Sequence, residues 1–263
     1  MKRAPALRSQ RGMNLVELAI SLAVMAIVAA GMLVPLVTQI EQRNVLTTES
    51  TIADLKEALL GFAAINGRLP CPATAAGGTG VEVFAAGGSA ATGECAAFWG
   101  FVPGQTLGIT PVDRNGYVID AWNNRIRYAV LSTSLGTGPT TRPYTRTNGL
   151  RTATLAAIQT AVAASPPVLL QVCGSGVGVT AGVSCNAAPT LTASAVAVLW
   201  SPGPNATTTG GTGTDEAQNA TSNDALFVSR TRSDDATNPF DDVVSWLGIN
   251  TLVNRMVAAG QLP

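Results

Sequence analysis

The most prominent hydrophobic feature of the chain is an apolar run close to its N-terminus. Twenty residues without a charge extend from Leu18 to Val37, and a basic stretch without acidic residues, 1–12, precedes them. A helix of this length measures about 30 Å, enough to cross the hydrocarbon core of a bilayer. The pattern therefore predicts a membrane-spanning helix whose basic N-terminal side remains in the cytoplasm.

Beyond Val37 the polarity changes, but the helical spacing of apolar residues continues. Apolar positions recur at spacings near three, four and seven, which indicates an amphipathic helix. They are Ile40, Val45, Ile52, Leu55, Leu59, Leu60 and Phe62. Asn66-Gly67 is a helix-ending pair. We therefore predict one helix over residues 13–66, with a membrane or assembly part at 13–40 and an amphipathic part at 41–66.

The remainder of the chain, residues 67–263, alternates strand-like and turn-rich segments and predicts a globular head. The fold class is thus α+β: a long, partly transmembrane N-terminal helix packed on a C-terminal domain with an antiparallel sheet. Residues 71–115 and 202–222 read as irregular or loop segments. We predict a hairpin from 116–120 and 124–131. Further strands are expected at 168–173, 194–201 and 225–231, a helix at 152–165 and a partly helical end at 241–260.

Composition narrows the possible functions. The formal net charge is zero and no basic stripe exists beyond the N-terminal residues, so nucleic acid is not an expected partner. The chain contains no histidine. This absence excludes Ser-His-Asp and Cys-His catalysis, and no other catalytic motif is present. We therefore do not expect an enzyme.

Four cysteines, Cys71, Cys95, Cys173 and Cys185, are compatible with two disulfides. The sequence allows three pairings. The neighbours in sequence, Cys71 with Cys95 and Cys173 with Cys185, would each close one loop. Export to an oxidising compartment would favour the bonded state.

The segment around Gly12 carries a more specific signal. A basic leader ends in Gly12, a hydrophobic Met13 follows, and Glu17 lies at the fifth position after Gly12, where the apolar helix begins. This combination resembles the class III signal of type IV pilins and type II secretion pseudopilins. The resemblance implies that prepilin peptidase cuts between Gly12 and Met13 and N-methylates Met13. It also implies that Glu17 pairs with the N-terminal amine of a neighbouring subunit during assembly.

Other segments extend this resemblance into the head. Residues 58–73 resemble the helix exit of pilin-like minor subunits, and residues 119–131 resemble a hairpin of pseudopilin domains, with Asn123 where glycine is usual. Residues 195–205 and 240–247 are similar to the end of the same minor-subunit pattern. We expect Trp122 and Tyr128 to pack against the helix, and Arg125 and Arg127 to face outward.

The resemblance implies a minor pilin-like subunit that is built into a membrane-spanning filament for pilus biogenesis, adhesion or motility. The implied partners are prepilin peptidase, other pilin or pseudopilin subunits, the inner-membrane assembly platform and membrane lipid. The chain would cross the bacterial inner membrane once, with its head in the periplasm, before it reaches the filament. Two alternatives remain open: a pseudopilin that acts in protein export, and a membrane-anchored binding or adhesin module that does not polymerise.

Acidic residues near the C-terminus raise the question of a metal. Asp234, Asp235, Asp241 and Asp242 are hard oxygen ligands that could hold Ca²⁺, although they lack EF-hand spacing. No other cofactor is expected. Alternatively, Asp241 and Asp242 lie at the N-terminus of the last helix, where negative charge is favourable.

Overall fold

The computed structural model describes residues 14–131, 142–152, 169–179, 184–185, 188–206, 214–220 and 225–262, without the side chains of 29–36. The helices are α1 (Leu15–Asn66), α2 (Gly104–Leu107), α3 (Gly149–Thr152), α4 (Thr214–Ala220) and α5 (Ile249–Ala258). A 3-10 turn spans Ala75–Gly77. The strands are β1 (Trp99–Phe101), β2 (Arg127–Val130), β3 (Leu170–Cys173), β4 (Thr190–Ser201), β5 (Leu226–Val228) and β6 (Val243–Gly248). The fold is α+β.

Helix α1 confirms the predicted long helix and its end. It begins at Leu15, and Met13 lies outside the described residues. The helix stops because Gly67 takes a left-handed conformation, with φ of 64°, while its N–H still donates to the Ala63 carbonyl at 2.7 Å. A side chain at Gly67 would also collide with the backbone of Asn148, 2.8 Å from the Cβ position.

The chain divides into two compact units between Asn44 and Val45, so the boundary lies within α1 rather than at its end. In the second unit, one face of α1 is buried through Ile52, Leu55, Leu59 and Ala63. Their spacing of three or four residues is that of an amphipathic helix, as predicted. These side chains belong to the same core as the inward-facing residues of the sheet.

In the first unit, the described side chains of α1 at 15–28 and 37–40 are exposed. Among the side chains that the structure describes, no helix combines the length and the hydropathy that a bilayer crossing needs. The expected span, Leu18 to Val37, includes residues 29–36, whose side chains lie outside the described part.

Strand β4 organises the sheet. It pairs antiparallel with β2, β3 and β6; β1 adds antiparallel to β2, and β5 adds parallel to β3. The sheet is therefore mixed rather than purely antiparallel. The strands expected at 194–201 and 225–231 are confirmed in β4 and β5. The described part of the strand expected at 168–173 is confirmed in β3.

Two sequence assignments need correction, and a third is confirmed in part. Residues 116–120 form only isolated bridges, such as Ile119 with Arg125, rather than a strand of a hairpin ladder. The expected loop at 202–222 contains helix α4. The partly helical end expected at 241–260 is confirmed in α5 (Ile249–Ala258), but its first part, Val243–Gly248, is a strand that pairs with β4. The helix expected at 152–165 lies almost wholly outside the described residues.

The disulfides join neighbours in sequence. Cys71 bonds to Cys95 and Cys173 bonds to Cys185, with Cα–Cα distances of 5.3 and 5.5 Å. Of the three pairings that the sequence allowed, the structure thus has the one with the shortest loops. Cys173 and Cys185 also pack with Leu226 in a small cluster of their own.

The predictions for the side chains of the expected hairpin are confirmed for some residues and wrong for others. Tyr128 is buried, and its hydroxyl donates to the Pro70 carbonyl at 3.1 Å. Trp122 is half-buried. Arg125 and Arg127 were expected to face outward, but both are half-buried. Arg125 binds Asp113 at 2.7 Å, which holds its guanidinium against the head.

Candidate functional sites

The processing and assembly residues belong to the N-terminal unit. Glu17 lies in the first turn of α1 and is exposed. A carboxylate is favourable at this end of a helix because the first backbone N–H groups carry a partial positive charge. Gly12 and Met13 lie outside the described residues.

The helix around Glu17 presents apolar side chains in all directions. Nine large apolar residues between positions 15 and 28 are exposed, by 46 % at Leu18 to 81 % at Leu15. They are Leu15, Val16, Leu18, Ile20, Leu22, Val24, Met25, Ile27 and Val28. Adjacent pairs such as Leu15 and Val16 point to different sides, so this is not a one-sided stripe. A helix that is apolar all round is typical of a membrane or of a helical bundle.

A second candidate site is an acidic centre in the head, formed by Glu216, Asp241 and Asp242. Helix α4 supplies Glu216, and the residues that lead into β6 supply the two aspartates. One carboxylate oxygen from each residue lies within 4.8 Å of the others. Glu216 is fully buried, Asp242 is 8 % exposed and Asp241 is half-buried.

Hydrogen bonds from neighbouring segments fix these carboxylates. The Asp241 N–H donates to Glu216 Oε1 at 2.9 Å, and Asn205 Nδ2 donates to both Glu216 oxygens at 3.0 and 3.2 Å. Asn219 Nδ2 donates to Asp242 Oδ2 at 2.7 Å. The other oxygen, Asp242 Oδ1, is buried and has no hydrogen-bond partner, and the same holds for Asn205 Oδ1.

The electrostatics of the acidic centre disfavour three negative charges. Burial raises the pKa of Asp242 to about 8, and the charges of Glu216 and Asp241 add to the effect. The hydrogen bond from Asn219 and the charge of Arg127 act in the opposite direction. Arg127 is itself desolvated, and burial lowers its pKa. The Asp242 carboxyl, with a pKa of about 8, therefore favours its protonated form at neutral pH.

Asp215, next to Glu216 on α4, has a different environment. Its Oδ2 forms an ion pair with Arg230, 2.5 Å from Nε, and accepts a hydrogen bond from Asn238 Nδ2 at 3.0 Å. Its Oδ1 accepts from the Gly176 N–H at 2.5 Å and from the Ser175 hydroxyl at 3.0 Å. Both oxygens are thus engaged, and we assign Asp215 a structural role.

The four aspartates that the sequence singled out do not come together. Asp241 and Asp242 join the acidic centre, whereas Asp234 and Asp235 are exposed and are not part of it. Asp235 accepts from the Thr237 N–H and hydroxyl, both at 2.9 Å, and these bonds lower its pKa. Asp241 and Asp242 do not cap the last helix, which begins only at Ile249.

Sequence reasoning missed Glu216, Asn205 and Asn219. Their only local signal was the acidic pair Asp215-Glu216 within a Gly- and Thr-rich stretch. A match with known proteins could have supplied the missing partners. However, family models, curated proteins and solved structures all give no match to this chain.

Proposed function

We propose that this chain is a type IV pilin-like minor subunit, which prepilin peptidase processes between Gly12 and Met13 and which assembles into a membrane-spanning filament. The observation that carries the proposal is the N-terminal part of α1, apolar on all sides, exposed, and with Glu17 in its first turn. The partners would be other pilin or pseudopilin subunits, the inner-membrane assembly platform and lipid.

The exposed apolar side chains call for a non-aqueous environment. Burial of a Leu, Ile, Val or Met side chain contributes about 1.5–3 kcal/mol. Nine such residues therefore favour transfer from water by on the order of 10 kcal/mol or more. The bilayer would provide this environment before assembly, and the helices of neighbouring subunits would provide it afterwards.

Glu17 gives the assembly step its specificity. A carboxylate in an apolar environment is costly unless a cation pairs with it. Cleavage after Gly12 creates a cationic amine at Met13. The amine of one subunit can then meet Glu17 of the next, which sets their register, and an unprocessed chain cannot form this pair. Processing would therefore control assembly.

The head is compatible with export. Both disulfides are of the kind that form and persist in the periplasm or at the cell surface. In the proposed topology the basic residues 1–12 remain in the cytoplasm and the head is periplasmic.

The processing step is tested by mass spectrometry of the mature N-terminus. We expect a chain that begins with N-methylated Met13 in cells with prepilin peptidase and an uncut chain in cells that lack the enzyme. An intact leader in peptidase-positive cells, or a cut at another site, would refute the proposal.

The assembly step is tested by Glu17→Ala. We expect this variant to be processed and to remain in the membrane fraction but to be absent from sheared filaments. Glu49→Ala is a matched control, because Glu49 is an exposed carboxylate on the same helix. Normal incorporation of Glu17→Ala would favour the non-polymerising anchor instead.

Deletion of this protein distinguishes a pilus subunit from a secretion pseudopilin. If the protein is a secretion pseudopilin, the deletion strain should lose protein export and keep its surface filaments.

A further inference from the structure

We infer that the outer edge of strand β6 pairs antiparallel with the same edge of a second copy of this chain, so that two heads share one continuous sheet. The contact involves the heads alone. The inference therefore goes beyond the proposed role in filaments and does not depend on it.

The backbone of strand β6 has one side without a partner. Val196 of β4 accepts from the Leu131 N–H at 2.9 Å and therefore faces the side of strand β2. Strand residues alternate between their two neighbouring strands, so the odd-numbered residues of β4 from 197 to 201 face β6. Their partners are Val243, Ser245 and Leu247. The N–H and C=O groups of Val244 and Trp246 therefore point away from the sheet, where no described residue bonds to them.

The edges formed by β1 and β5 are covered by the chain itself. Phe101 of β1 exchanges hydrogen bonds with Ala73 at 2.8 and 2.9 Å. On β5, the Asn219 side chain bonds both the N–H and the carbonyl of Val228, at 2.7 and 2.9 Å. An uncovered edge can pair with another strand, and proteins commonly prevent this with charged residues or proline. Residues 243–249 contain neither, so the edge of β6 is unprotected.

The edge of β6 is complementary to itself. A two-fold axis through Trp246 places this residue opposite its own copy, and it places Val244 opposite Gly248 of the second chain. Val244 and Trp246 are half-buried on the same face of the sheet, and aromatic cross-strand pairs stabilise antiparallel strands. Gly248 leaves room for the approaching strand, since a Cβ atom there would meet no atom within 4 Å.

The charges at the two ends of β6 favour the antiparallel direction. Asp241 and Asp242 precede the strand, whereas α5 follows it and carries the exposed Arg255. Antiparallel pairing brings the acidic end of each strand to the α5 end of the other and keeps the two acidic ends apart. Parallel pairing would place the acidic ends side by side, which is unfavourable.

The pairing relates the two heads by an axis normal to the sheet. The head part of α1, residues 45–66, packs on one face of this sheet, for example through the bond from Lys56 to Ser245. Rotation about the axis reverses the direction of this helix in the second copy. The contact therefore differs from the parallel helix packing proposed for the filament, and it would join heads of separate filaments or membranes.

The first test uses the unmodified full chain in detergent. Lys56 is the only lysine beyond residues 1–12, and its Nζ donates to the Ser245 hydroxyl at 3.2 Å. In the paired sheet the two copies of Ser245 flank the axis, so the two Lys56 amines lie close together. A short amine-reactive cross-linker should therefore join Lys56 to Lys56, a link that only two chains can form. Sedimentation equilibrium should show a dimer that dissociates on dilution.

A charge exchange at Trp246 tests the register. Trp246→Lys and Trp246→Glu each place like charges opposite one another, so each variant alone should pair on the order of tenfold more weakly than the parent. A mixture of the two places opposite charges together and should regain the pairing. Val257→Lys and Val257→Glu are the matched controls, because Val257 is 48 % exposed and lies on α5, and they should pair like the parent.

Gly248→Asp tests the edge without disturbing the fold. Gly248 is the N-cap of α5, with φ of −74° and space for a side chain, and aspartate is favoured at such a position. The variant should therefore be at least as stable as the parent in thermal unfolding. It should nevertheless pair more weakly, because it places a charge on the edge.

Three results would overturn the inference. The first is a parent chain that stays monomeric at high concentration and gives no Lys56–Lys56 link. The second is undiminished pairing in folded Trp246→Lys or Gly248→Asp, which would place the contact elsewhere, such as on the N-terminal part of α1. The third is a mixture of folded Trp246→Lys and Trp246→Glu that remains unpaired.

Discussion

The helix exit contains a buried ion pair whose loss should be costly. Arg68 and Glu82 form two parallel bonds of 2.7 Å, and their side chains are 6 % and 11 % exposed. The guanidinium also lies over the rings of Phe62 and Phe84, at 5.1 and 5.6 Å from their centroids. We predict that Glu82→Gln destabilises the head strongly, because it leaves the Arg68 charge buried without a counter-charge.

The expected magnitude follows from the burial of the pair. Removal of one partner of a buried ion pair costs about 3–5 kcal/mol. We take the lower end, about 3 kcal/mol, because the Gln amide oxygen keeps one of the acceptor positions. At about 2–4 °C per kcal/mol for a domain of this size, the Tm should fall by about 6–12 °C.

Tryptophan fluorescence of the full chain in detergent measures this change selectively. All four tryptophans lie at position 99 or beyond, so the signal reports the head rather than the N-terminal part of α1. Glu57→Gln is the control, because Glu57 forms an exposed ion pair with Arg255, which should contribute less than about 1 kcal/mol. The double variant Arg68→Met/Glu82→Leu should cost less than Glu82→Gln alone, because no charge remains buried. A loss below about 1 kcal/mol for Glu82→Gln, or a double variant that is clearly worse, would contradict the reasoning.

Three further predictions concern the head. Leu59→Ala should cost about 2–5 kcal/mol in thermal unfolding, because Leu59 is fully buried in the core. Replacement of Cys173 and Cys185 by Ala opens a loop of sequence separation 12 and should cost about 3 kcal/mol, measured in the same assay. Ser201→Ala removes the 2.5 Å bond to Asp120 Oδ2, and the pKa of Asp120, which burial already raises, should rise further. The substitution then makes ionisation of Asp120 more costly in the folded state. The resulting loss of stability should therefore be larger at neutral pH than near pH 2, which is well below the ordinary pKa of 3.8, so that Asp120 holds its proton in both states.

Helix α1 could be predicted because its signals are local. Spaced apolar residues mark its buried face, and Asn66-Gly67 supplies the left-handed glycine that ends it. The disulfides were partly predictable, since the pairing with the shortest loops was the one favoured by distance along the chain.

Strand β6 was misread because its spacing is ambiguous. Val243, Val244 and Leu247 fit a helical period, but valine is also favoured in strands, and the segment pairs with β4. Whether this segment forms a helix or a strand depends on its pairing with β4 in the folded sheet. The partner strand is some forty residues earlier in the sequence, and no local pattern carries that information.

Only two of the three residues of the acidic centre could be predicted from the sequence. Asp241 and Asp242 were recognisable as adjacent acids, but Glu216 is brought to them by the fold. The expected companions, Asp234 and Asp235, are closer in sequence yet remain exposed. Proximity along the chain was therefore a poor guide, because the residues of the acidic centre come from different elements.

The central position of β4 has a consequence for hydrogen exchange. Residues 197–200 pair with β2 on one side and with β6 on the other. Their amides cannot reach water unless a complete ladder opens, so their exchange should require unfolding of the whole head. Deuterium uptake at these four positions would then report the global stability of the head directly, in detergent and without denaturant.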